Sequence, residues 1–350
     1  MGTDRHGAVP KLKKLVADEG VFFTNGFIAT PICCPSRSTY ISGQFQHNHR
    51  CLQNSVSAGC NSLGWQAGPE LLNPALALKK VGYTTMYAGK YLNAYGFNNT
   101  GTPPLTGVKH VPPGWDNWLG LVGNSRYYDW QISRNGVVEA HGHDYATDYF
   151  TDFIKNETLL WLRANLGKGK PVLAWSATPA CHGPNDAAPQ YQGLFADEKA
   201  PRTANFNTGM PGKNRFNSPE FHPAMNASEI EFSDLVHRRR LQVLQSVDDL
   251  VEAYVNELTA ADALEDTVLL YTSDHGYHMG QFAMVYDKRT PYEHDVRIPY
   301  MVRLPKNLVS KEAMARLIGT ESTSVVSNVD VAPSLAALVG KPLLFRAVFG

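Results

Sequence analysis

Apolar residues along the chain follow two spacings that predict different elements. Where they recur every three or four positions we predict helices, and where they form short continuous runs we predict buried strands. The predicted helices lie in residues 8–20, 149–167, 229–264 and 328–340, and at the start of 75–96. The predicted strands lie in residues 21–29, 84–89, 171–184, 267–281 and 296–305, and the third and fourth run into polar loops.

Helices that alternate with continuous apolar strands are typical of an α/β fold, in which a mainly parallel central sheet lies between helices. Ligands of such folds bind beyond the carboxyl ends of the strands. The polar side chains directly after predicted strands are therefore candidates for a functional site, namely Lys90, His182, Asp274 and His275. Residues 185–230 are rich in Pro, Asn and Gly and predict a long excursion over the surface.

Composition and charge exclude several classes of partner. The chain has 350 residues, of which 43 % are hydrophobic, and its 32 acidic residues balance 32 basic ones. This balance argues against broad electrostatic capture of nucleic acid or of a membrane surface. No apolar run is long enough to span a membrane, and the segment MGTDRHGAVPKLKKL lacks the apolar region of a signal peptide. Three N-x-[ST] sequons, at Asn98, Asn156 and Asn226, nevertheless favour the secretory pathway.

The five cysteines are too few for a disulfide scaffold, and their odd number leaves at least one unpaired. Cys51 and Cys60 are a candidate pair in an oxidising compartment. The adjacent Cys33 and Cys34 allow three interpretations: buried core thiols, a strained vicinal disulfide, or a thiolate whose pKa is lowered by Arg37.

The string CCPSRSTYISGQ, which begins at Cys33, contains C-x-P-S-R followed by a short helix-like segment and a glycine. It resembles the signature of type I sulfatases, in which the first cysteine of the motif is oxidised to formylglycine. The resemblance implies that Cys33 is modified by a formylglycine-generating enzyme, that Cys34 is the variable position, and that Arg37 is the fixed cation. The hydrated aldehyde offers one hydroxyl to attack sulfur and a second whose ionisation expels sulfate.

Four further segments match sulfatase motifs in the order of the family. In YTSDHG, the resemblance implies that Asp274 and His275 bind one divalent cation together with the formylglycine, with Ca²⁺ favoured over Mg²⁺. In AGKYLN and YDKR it assigns Lys90 and Lys288 to the sulfate oxygens. In ATPACH it makes His182 the proton donor to the leaving alcohol.

The similarity runs from about residue 8 to about residue 340 and implies one sulfatase catalytic domain over residues 1–345, with the fold of the alkaline phosphatase superfamily. Sulfatases open with an apolar strand that ends in two metal-binding aspartates, but here only Asp4 lies near the start. The usual small C-terminal subdomain is largely absent as well. We therefore expect a truncated chain with a weakened metal site, whose full-length parent enters the secretory pathway and acts outside the cell or in a lysosome-like compartment.

The resemblance implies a sulfuric ester hydrolase that acts on a sulfated sugar or an aryl sulfate. The strings CCPSR, GKYLN and ATPACH look most like the N-acetylglucosamine-6-sulfatase and arylsulfatase branch, which slightly favours a sulfated sugar. One alternative is a phosphodiesterase or phosphonate hydrolase of the same superfamily. Another is an inactive chain that only binds sulfated glycans through Lys90, Lys288 and Arg37.

Three other groups of polar residues have plainer interpretations. Asp248 and Asp249 lie in an amphipathic helical pattern and predict a helix face or a structural contact. The run 237–240, HRRR, predicts a solvated helix face. His47 and His49 follow the signature segment, where they line the pocket or cap a helix.

Overall fold

The computed structural model describes residues 7–209, 223–307 and 309–340. Their strands are β1 Val21–Phe27, β2 Thr84–Lys90, β3 Asn117–Leu121, β4 Gln131–Arg134, β5 Val137–Ala140, β6 Val172–Ala177, β7 Leu269–Thr272, β8 Arg297–Ile298, β9 Tyr300–Arg303 and β10 Thr320–Ser327. Their helices are α1 Pro10–Leu12, α2 Cys33–Ser42, α3 Gln46–His49, α4 Leu63–Ala67, α5 Pro74–Lys79, α6 Tyr145–Asp148, α7 Phe150–Asn165, α8 Ala227–Ala260, α9 Glu293–Val296, α10 Lys311–Leu317 and α11 Val331–Leu338. A π-helical turn, Lys13–Ala17, continues α1.

The described strands form two mixed sheets. In the first sheet the order is β10–β1–β9–β7, with β8 also paired to β1, and in the second it is β5–β4–β3–β2–β6. The pairs β1–β10, β2–β3 and β2–β6 are parallel, whereas the remaining pairs are antiparallel. The α/β class is therefore as predicted, but the described sheets contain more antiparallel pairing than a mainly parallel sheet.

Part of the antiparallel pairing comes from a hairpin that the apolar pattern did not predict. Strands β4 and β5 are joined by Asn135 and Gly136, whose φ angles of 50° and 91° are both positive. A two-residue Asn-Gly connection with two positive φ angles matches the right-handed twist of a hairpin. The string RNG was thus the local signal for this element. Strand β10 also escaped prediction, because its string TESTSVVS is largely polar.

Helix α8 carries Asp248 and residues 237–240, for which the sequence predicted a structural contact and a solvated face. Asp248 accepts hydrogen bonds from the backbone N–H groups of Lys11 and Leu12, which joins α8 to the first turn of α1. The predicted structural contact at Asp248 is therefore present. The solvated face predicted for residues 237–240 is wrong in part, because His237 is buried and the Arg240 guanidinium lies 4.0 Å from the centre of the Tyr277 ring. With 34 residues, α8 contacts both α1 and the loop after β7, so more than one of its faces is packed.

The two sheets face a common cavity. Among the described strands, β6 and β7 are edge strands of their sheets, and residues of both line a cavity of about 880 Å³. Helix α8 contributes Val247, Leu250 and Tyr254 to the lining. Both strands end at the same place, where the cavity meets Arg37 and Asp274.

The cysteines pair differently from the candidate pair in the sequence. Cys34 and Cys60 form a disulfide, whereas Cys33, Cys51 and Cys181 are free thiols. The pairing of Cys51 with Cys60 is therefore wrong, and so is a vicinal disulfide. The backbone N–H of Cys34 donates to Asn54 Oδ1 at 2.9 Å, which holds the loop before Cys60 against α2.

Within the described ranges, no helix combines the length and the apolar character needed to cross a membrane.

Candidate active site

The site is built at the N-terminus of α2, where Cys33 is the first helical residue and is fully buried. Its Sγ atom lies 3.6 Å from His275 Nε2, on the loop that follows β7. The Ser36 hydroxyl donates to the carbonyl oxygen of Asp274 and fixes the same loop to α2. The helix ends at Gly43 in the left-handed conformation, with φ of 64°, as its SG string predicts.

Arg37 connects three parts of the site. Its Nε donates to Asp274 Oδ2 at 2.8 Å, and its Nη1 donates to the carbonyl oxygen of Lys90 at 2.7 Å. The side chains of Arg37 and Asp274 are only 16 % and 18 % exposed, so solvent screens this ion pair weakly. Arg37 therefore fixes the ends of β2 and β7 against helix α2.

Strand β2 delivers Lys90 into the site. Gly89 has φ of 118°, and a Cβ atom there would meet the carbonyl oxygen of Ala177 at 2.0 Å, so glycine is required where β6 passes β2. Lys90 is 1 % exposed and its Nζ donates to Asn124 Oδ1 at 2.8 Å. Burial, together with the neighbouring cations Arg37 and Lys288, lowers the pKa of Lys90.

His182 lies on the loop after β6 and reaches Cys33. Its Nδ1 is 2.7 Å from the carbonyl oxygen of Gly183, so this nitrogen carries a proton and Nε2 is left for the site. Tyr127 donates a hydrogen bond to the carbonyl oxygen of His182 at 2.9 Å and holds the loop in place.

Lys288 lies on the loop between β7 and α9 and is 8 % exposed. Its Nζ is 5.7 Å from the centre of the Tyr277 ring, and its charge acts on both Lys90 and Asp274. An isolated antiparallel bridge between His278 and Asp287 fixes the residue that precedes Lys288.

The charges of the site act together on Cys33 and Asp274. Burial opposes ionisation of Cys33, but the charge of Lys90 and the hydrogen-bonding contacts with His182 and His275 hold the pKa of the thiol well below its ordinary value. Burial also opposes ionisation of Asp274, yet His275, Arg37 and Lys90 hold the pKa of its carboxyl below the usual range. The site therefore favours negative charge at both positions.

Three of these groups are arranged as metal ligands. Donor atoms of Cys33, Asp274 and His275 all lie within 4.8 Å of one another. His275 Nδ1 lies 2.8 Å from the carbonyl oxygen of Gly276, which leaves the Nε2 lone pair directed towards the other two groups. The donor set fits a divalent cation, although it supplies fewer ligands than the six to eight or so oxygens that Ca²⁺ takes.

The structure brings all of the predicted site residues together: Cys33, Arg37, Lys90, His182, Asp274, His275 and Lys288. Two residues at the site were not predicted: Asn124, which accepts a hydrogen bond from Lys90, and Tyr277, whose ring lies under Lys288 and Arg240. Asn124 lies after β3. Because β3 was not predicted, Asn124 was not among the polar residues expected to follow a strand. His49 does not reach the site; it is buried between Thr39 and Cys51.

Comparison with known sequences identifies relatives along nearly the whole chain. The family model described as Sulfatase matches residues 2–341. Human N-acetylglucosamine-6-sulfatase is 39 % identical over 339 residues, which cover 95 % of the chain and 58 % of that protein. The extracellular sulfatase SULF-1 homolog of Drosophila melanogaster is 38 % identical over 336 residues, which cover 95 % of the chain and 28 % of that protein. The chain thus spans little more than half of the human protein and less of the fly protein.

Solved structures show the same fold at lower identity. A protein solved in complex with its substrate D-glucosamine-2-N,6-O-disulfate has a TM-score of 0.74 and 21 % identity, over 97 % of the chain and 73 % of that protein. The phosphonate monoester hydrolase of Agrobacterium radiobacter has a TM-score of 0.65 and 20 % identity, over 95 % of the chain and 69 % of that protein. The predicted sulfatase fold is thereby confirmed.

Proposed function

Because the chain belongs to the sulfatase family, we propose that it hydrolyses a sulfate monoester to an alcohol and inorganic sulfate. The observation that carries the proposal is the convergence of Lys90, His182 and His275 on the buried Cys33. A sulfate ester spreads negative charge over its oxygens, and cations that are fixed in advance stabilise such charge best where water is excluded. A buried cysteine beside an ammonium group and two imidazole rings is hard to explain as a packing residue alone.

Each side chain takes a role that its contacts allow. Lys90 and Lys288 bind sulfate oxygens, because both ammonium groups are buried at the site. Arg37 keeps Asp274 and the end of β2 in position through its two hydrogen bonds. His182, when its Nε2 is protonated, donates to the leaving alcohol oxygen.

The sulfatase family generally uses a metal ion and a formylglycine, and we assign both to the Cys33, Asp274 and His275 cluster. A hydrated formylglycine supplies the attacking hydroxyl, and a divalent cation supplies the Lewis acidity that favours its ionisation. We favour Ca²⁺ over Mg²⁺, because Ca²⁺ tolerates irregular coordination whereas Mg²⁺ requires a nearly ideal octahedron. Arg37 occupies Oδ2 of Asp274, so Oδ1 is the oxygen available to a cation.

For the substrate we propose a sulfated sugar ahead of an aryl sulfate. Relatives of the chain are named N-acetylglucosamine-6-sulfatase, and a protein of the same fold was solved with a sulfated glucosamine as its substrate. Relatives named arylsulfatase are less similar, at 28 % identity for that of Chlamydomonas reinhardtii.

We further propose that the protein acts in the secretory pathway, where a formylglycine-generating enzyme converts Cys33. The Cys34–Cys60 disulfide belongs to an oxidising compartment. The sequon residues Asn156 and Asn226 are exposed and open to glycosylation. Two relatives are named extracellular sulfatases.

The test is a mass spectrum of the peptide that contains Cys33, from chain exported behind an added signal peptide, with sulfate release measured on the same sample. We expect an aldehyde at Cys33, none at Cys34, and sulfate release that is lost in Cys33→Ala but kept in Cys51→Ala. Cys51→Ala is the matched control, since it removes a buried free thiol outside the site. A thiol at Cys33, in cells that convert a control sulfatase, would contradict the proposal.

The same preparation separates the two alternatives. A phosphodiesterase or phosphonate hydrolase would cleave aryl phosphodiesters or phosphonates faster than aryl sulfates. A binding-only chain would bind sulfated glycans equally well before and after Cys33→Ala and release no sulfate. The binding-only alternative is worth testing because the cluster of Cys33, Asp274 and His275 offers few ligands to a metal ion.

A further inference from the structure

A cluster of three metal-ligating side chains lies outside the catalytic cluster. It consists of His278, on the loop after β7, and of His294 and Asp295 in α9. One donor atom from each of the three lies within 4.8 Å of the other two. The proposed function gives this cluster no role.

The Asp295 carboxylate is fully buried and its two oxygens have different neighbours. Oδ2 accepts hydrogen bonds from the backbone N–H and the hydroxyl of Thr290, at 2.8 and 2.6 Å. Oδ1 is the oxygen nearer to both imidazole rings, at 2.9 Å from His278 Nδ1 and 3.9 Å from His294 Nε2. Thr290 therefore holds the carboxylate in the orientation that directs Oδ1 at the two histidines, as the outer hydrogen bonds of a metal ligand do.

His294 contributes a buried nitrogen that lacks a partner. Its Nε2 has no hydrogen-bond partner among the described residues, and 3.9 Å from Asp295 Oδ1 is too long for a hydrogen bond. Two ligands of one tetrahedral zinc ion lie about 3.3 Å apart, since each is about 2.0 to 2.1 Å from the metal. The distances of 2.9 and 3.9 Å from Oδ1 lie on either side of that value. Burial lowers the pKa of His294 to about 4, so its ring is neutral at pH 7 and able to ligate.

Aromatic rings surround this nitrogen. The centre of the His294 ring lies 5.8 Å from that of Phe282 and 5.6 Å from that of Tyr292. An apolar surround restricts water and strengthens the binding of an ion to the few polar atoms inside it. His294 also lines the large cavity between the two sheets, which gives an ion a route to the cluster.

We propose that His278 Nδ1, His294 Nε2 and Asp295 Oδ1 bind a zinc ion and leave one coordination position to water. The proton that His278 Nδ1 shares with Asp295 moves to Nε2 of the same ring, so the imidazole stays neutral and no proton is lost. Two imidazoles and one carboxylate are typical donors to zinc, whereas Ca²⁺ and Mg²⁺ prefer oxygen ligands. The site does not depend on the proposed function.

A zinc ion at this cluster would close the loop that carries Lys288. His278 and Asp295 are 17 positions apart, and Lys288 lies between them. The backbone N–H of Tyr277 also donates to the carbonyl oxygen of His294, so the two ends of the loop already meet at the cluster. An ion that binds only the folded arrangement stabilises it and makes opening of the loop rarer.

The test measures zinc binding to the full chain carrying Cys33→Ala and His275→Ala, which removes two of the three donors of the catalytic cluster. Zinc chloride is titrated into this metal-free background in competition with a fluorescent chelator, and melting curves are recorded at the same zinc concentrations. His294→Phe is the test variant, because it keeps an aromatic ring and removes both nitrogens. The matched control is His47→Phe, at an exposed histidine of α3.

We expect the background to bind one zinc ion, His47→Phe to bind it equally well, and His294→Phe to bind it about tenfold more weakly or worse. Zinc at a hundredfold excess over its Kd should raise the melting temperature of the background by about 3 to 5 °C, but not that of His294→Phe. Without metal, His294→Phe should melt no lower than the background, since it removes a buried nitrogen that has no partner.

Limited proteolysis tests the effect on the loop. Arg289 is exposed between the two ligand positions, so zinc should slow trypsin cleavage after it in the background but not in His294→Phe. Equal zinc affinity in His294→Phe and the background, or no zinc binding to the background, would overturn the inference. If the background fails to fold, the same titrations of the unsubstituted chain and of His294→Phe alone decide, because the catalytic cluster is identical in those two.

Discussion

Arg37 Nε donates to Asp274 Oδ2 across 2.8 Å, although the two residues are 237 positions apart in the chain. One comes from the first turns of α2 and the other from the end of β7. Few ion pairs in the described residues are as shielded, since both side chains are less than a fifth exposed. The pair therefore fixes the geometry of the site and contributes to the stability of the fold.

We predict that Arg37→Met lowers the free energy of unfolding by about 3 to 5 kcal/mol, because it leaves the Asp274 carboxylate buried without its partner. Arg37→Lys should lose less, since it keeps the charge but cannot contact both Asp274 and the Lys90 carbonyl. Urea unfolding measures both. The control is Arg163→Met, which breaks an ion pair with Glu257 that is exposed on the arginine side and should cost far less, because solvent screens it. A similar cost for both arginines would contradict the special role of the buried pair.

We predict that Lys90→Met reduces turnover without reducing the free energy of unfolding. Lys90 is 1 % exposed and its burial lowers its pKa, so removing the charge should not reduce the free energy of unfolding. Under the proposed function it should reduce sulfate ester turnover by about 100-fold or more. It should also abolish the rise in melting temperature that inorganic sulfate gives to the unsubstituted chain.

The measurements are sulfate release and melting curves at several sulfate concentrations. Lys168→Met, at an exposed position, is the control and should keep both properties. Unchanged sulfate stabilisation in Lys90→Met would exclude Lys90 from the anion site.

The disulfide should contribute measurably to stability. Replacing Cys34 and Cys60 together by serine should lower the free energy of unfolding by about 3 to 4 kcal/mol, since the bridge closes a separation of 26 residues. A digest without reduction should yield the Cys34–Cys60 linked peptides, and Cys51→Ala should leave them unchanged. Recovery of a Cys51–Cys60 linkage would refute the pairing.

His49 should make the fold sensitive to acid. Burial lowers its pKa to about 4, and its Nδ1 accepts from the backbone N–H of Cys51. As pH falls from about 6.5 towards 4, the unfolded chain binds a proton that the folded chain excludes, so stability is lost over this window. At about 1.4 kcal/mol per pKa unit, His49 accounts for a loss of about 3 kcal/mol.

His49→Asn should be less stable at neutral pH but should lose less stability on acidification. Urea unfolding at pH 7, 5.5 and 4.5 or thereabouts would measure this. The control His47→Asn changes an exposed residue of the same short helix, α3. If His49→Asn and the unsubstituted chain lose equal stability on acidification, His49 is not the cause.

Several elements could be predicted because their local pattern matched their environment. Strands β1 and β6 and helix α7 lie within the predicted segments, whereas β2 ends one residue after its segment and α8 begins two residues before its own. Strand β10 was missed because it is polar and is held by pairing with β1 rather than by its own apolar residues. Strands β4 and β5 were missed although the Asn135–Gly136 turn was visible in the sequence.

The sequence by itself predicted which side chains meet at the site, since the C-x-P-S-R string and the residues after strands pointed to Cys33, Lys90, His182 and Asp274. These residues could be predicted because each lies in a short motif, either directly after a strand or at the start of a helix. The tertiary structure decided what lies between them. The pairing of Cys34 with Cys60, the contact of Arg37 with Asp274 and the hydrogen bond from Lys90 to Asn124 depend on distances between segments far apart in the chain. Spacing along a chain does not fix such distances, because they result from how the strands pair and how the helices pack on them.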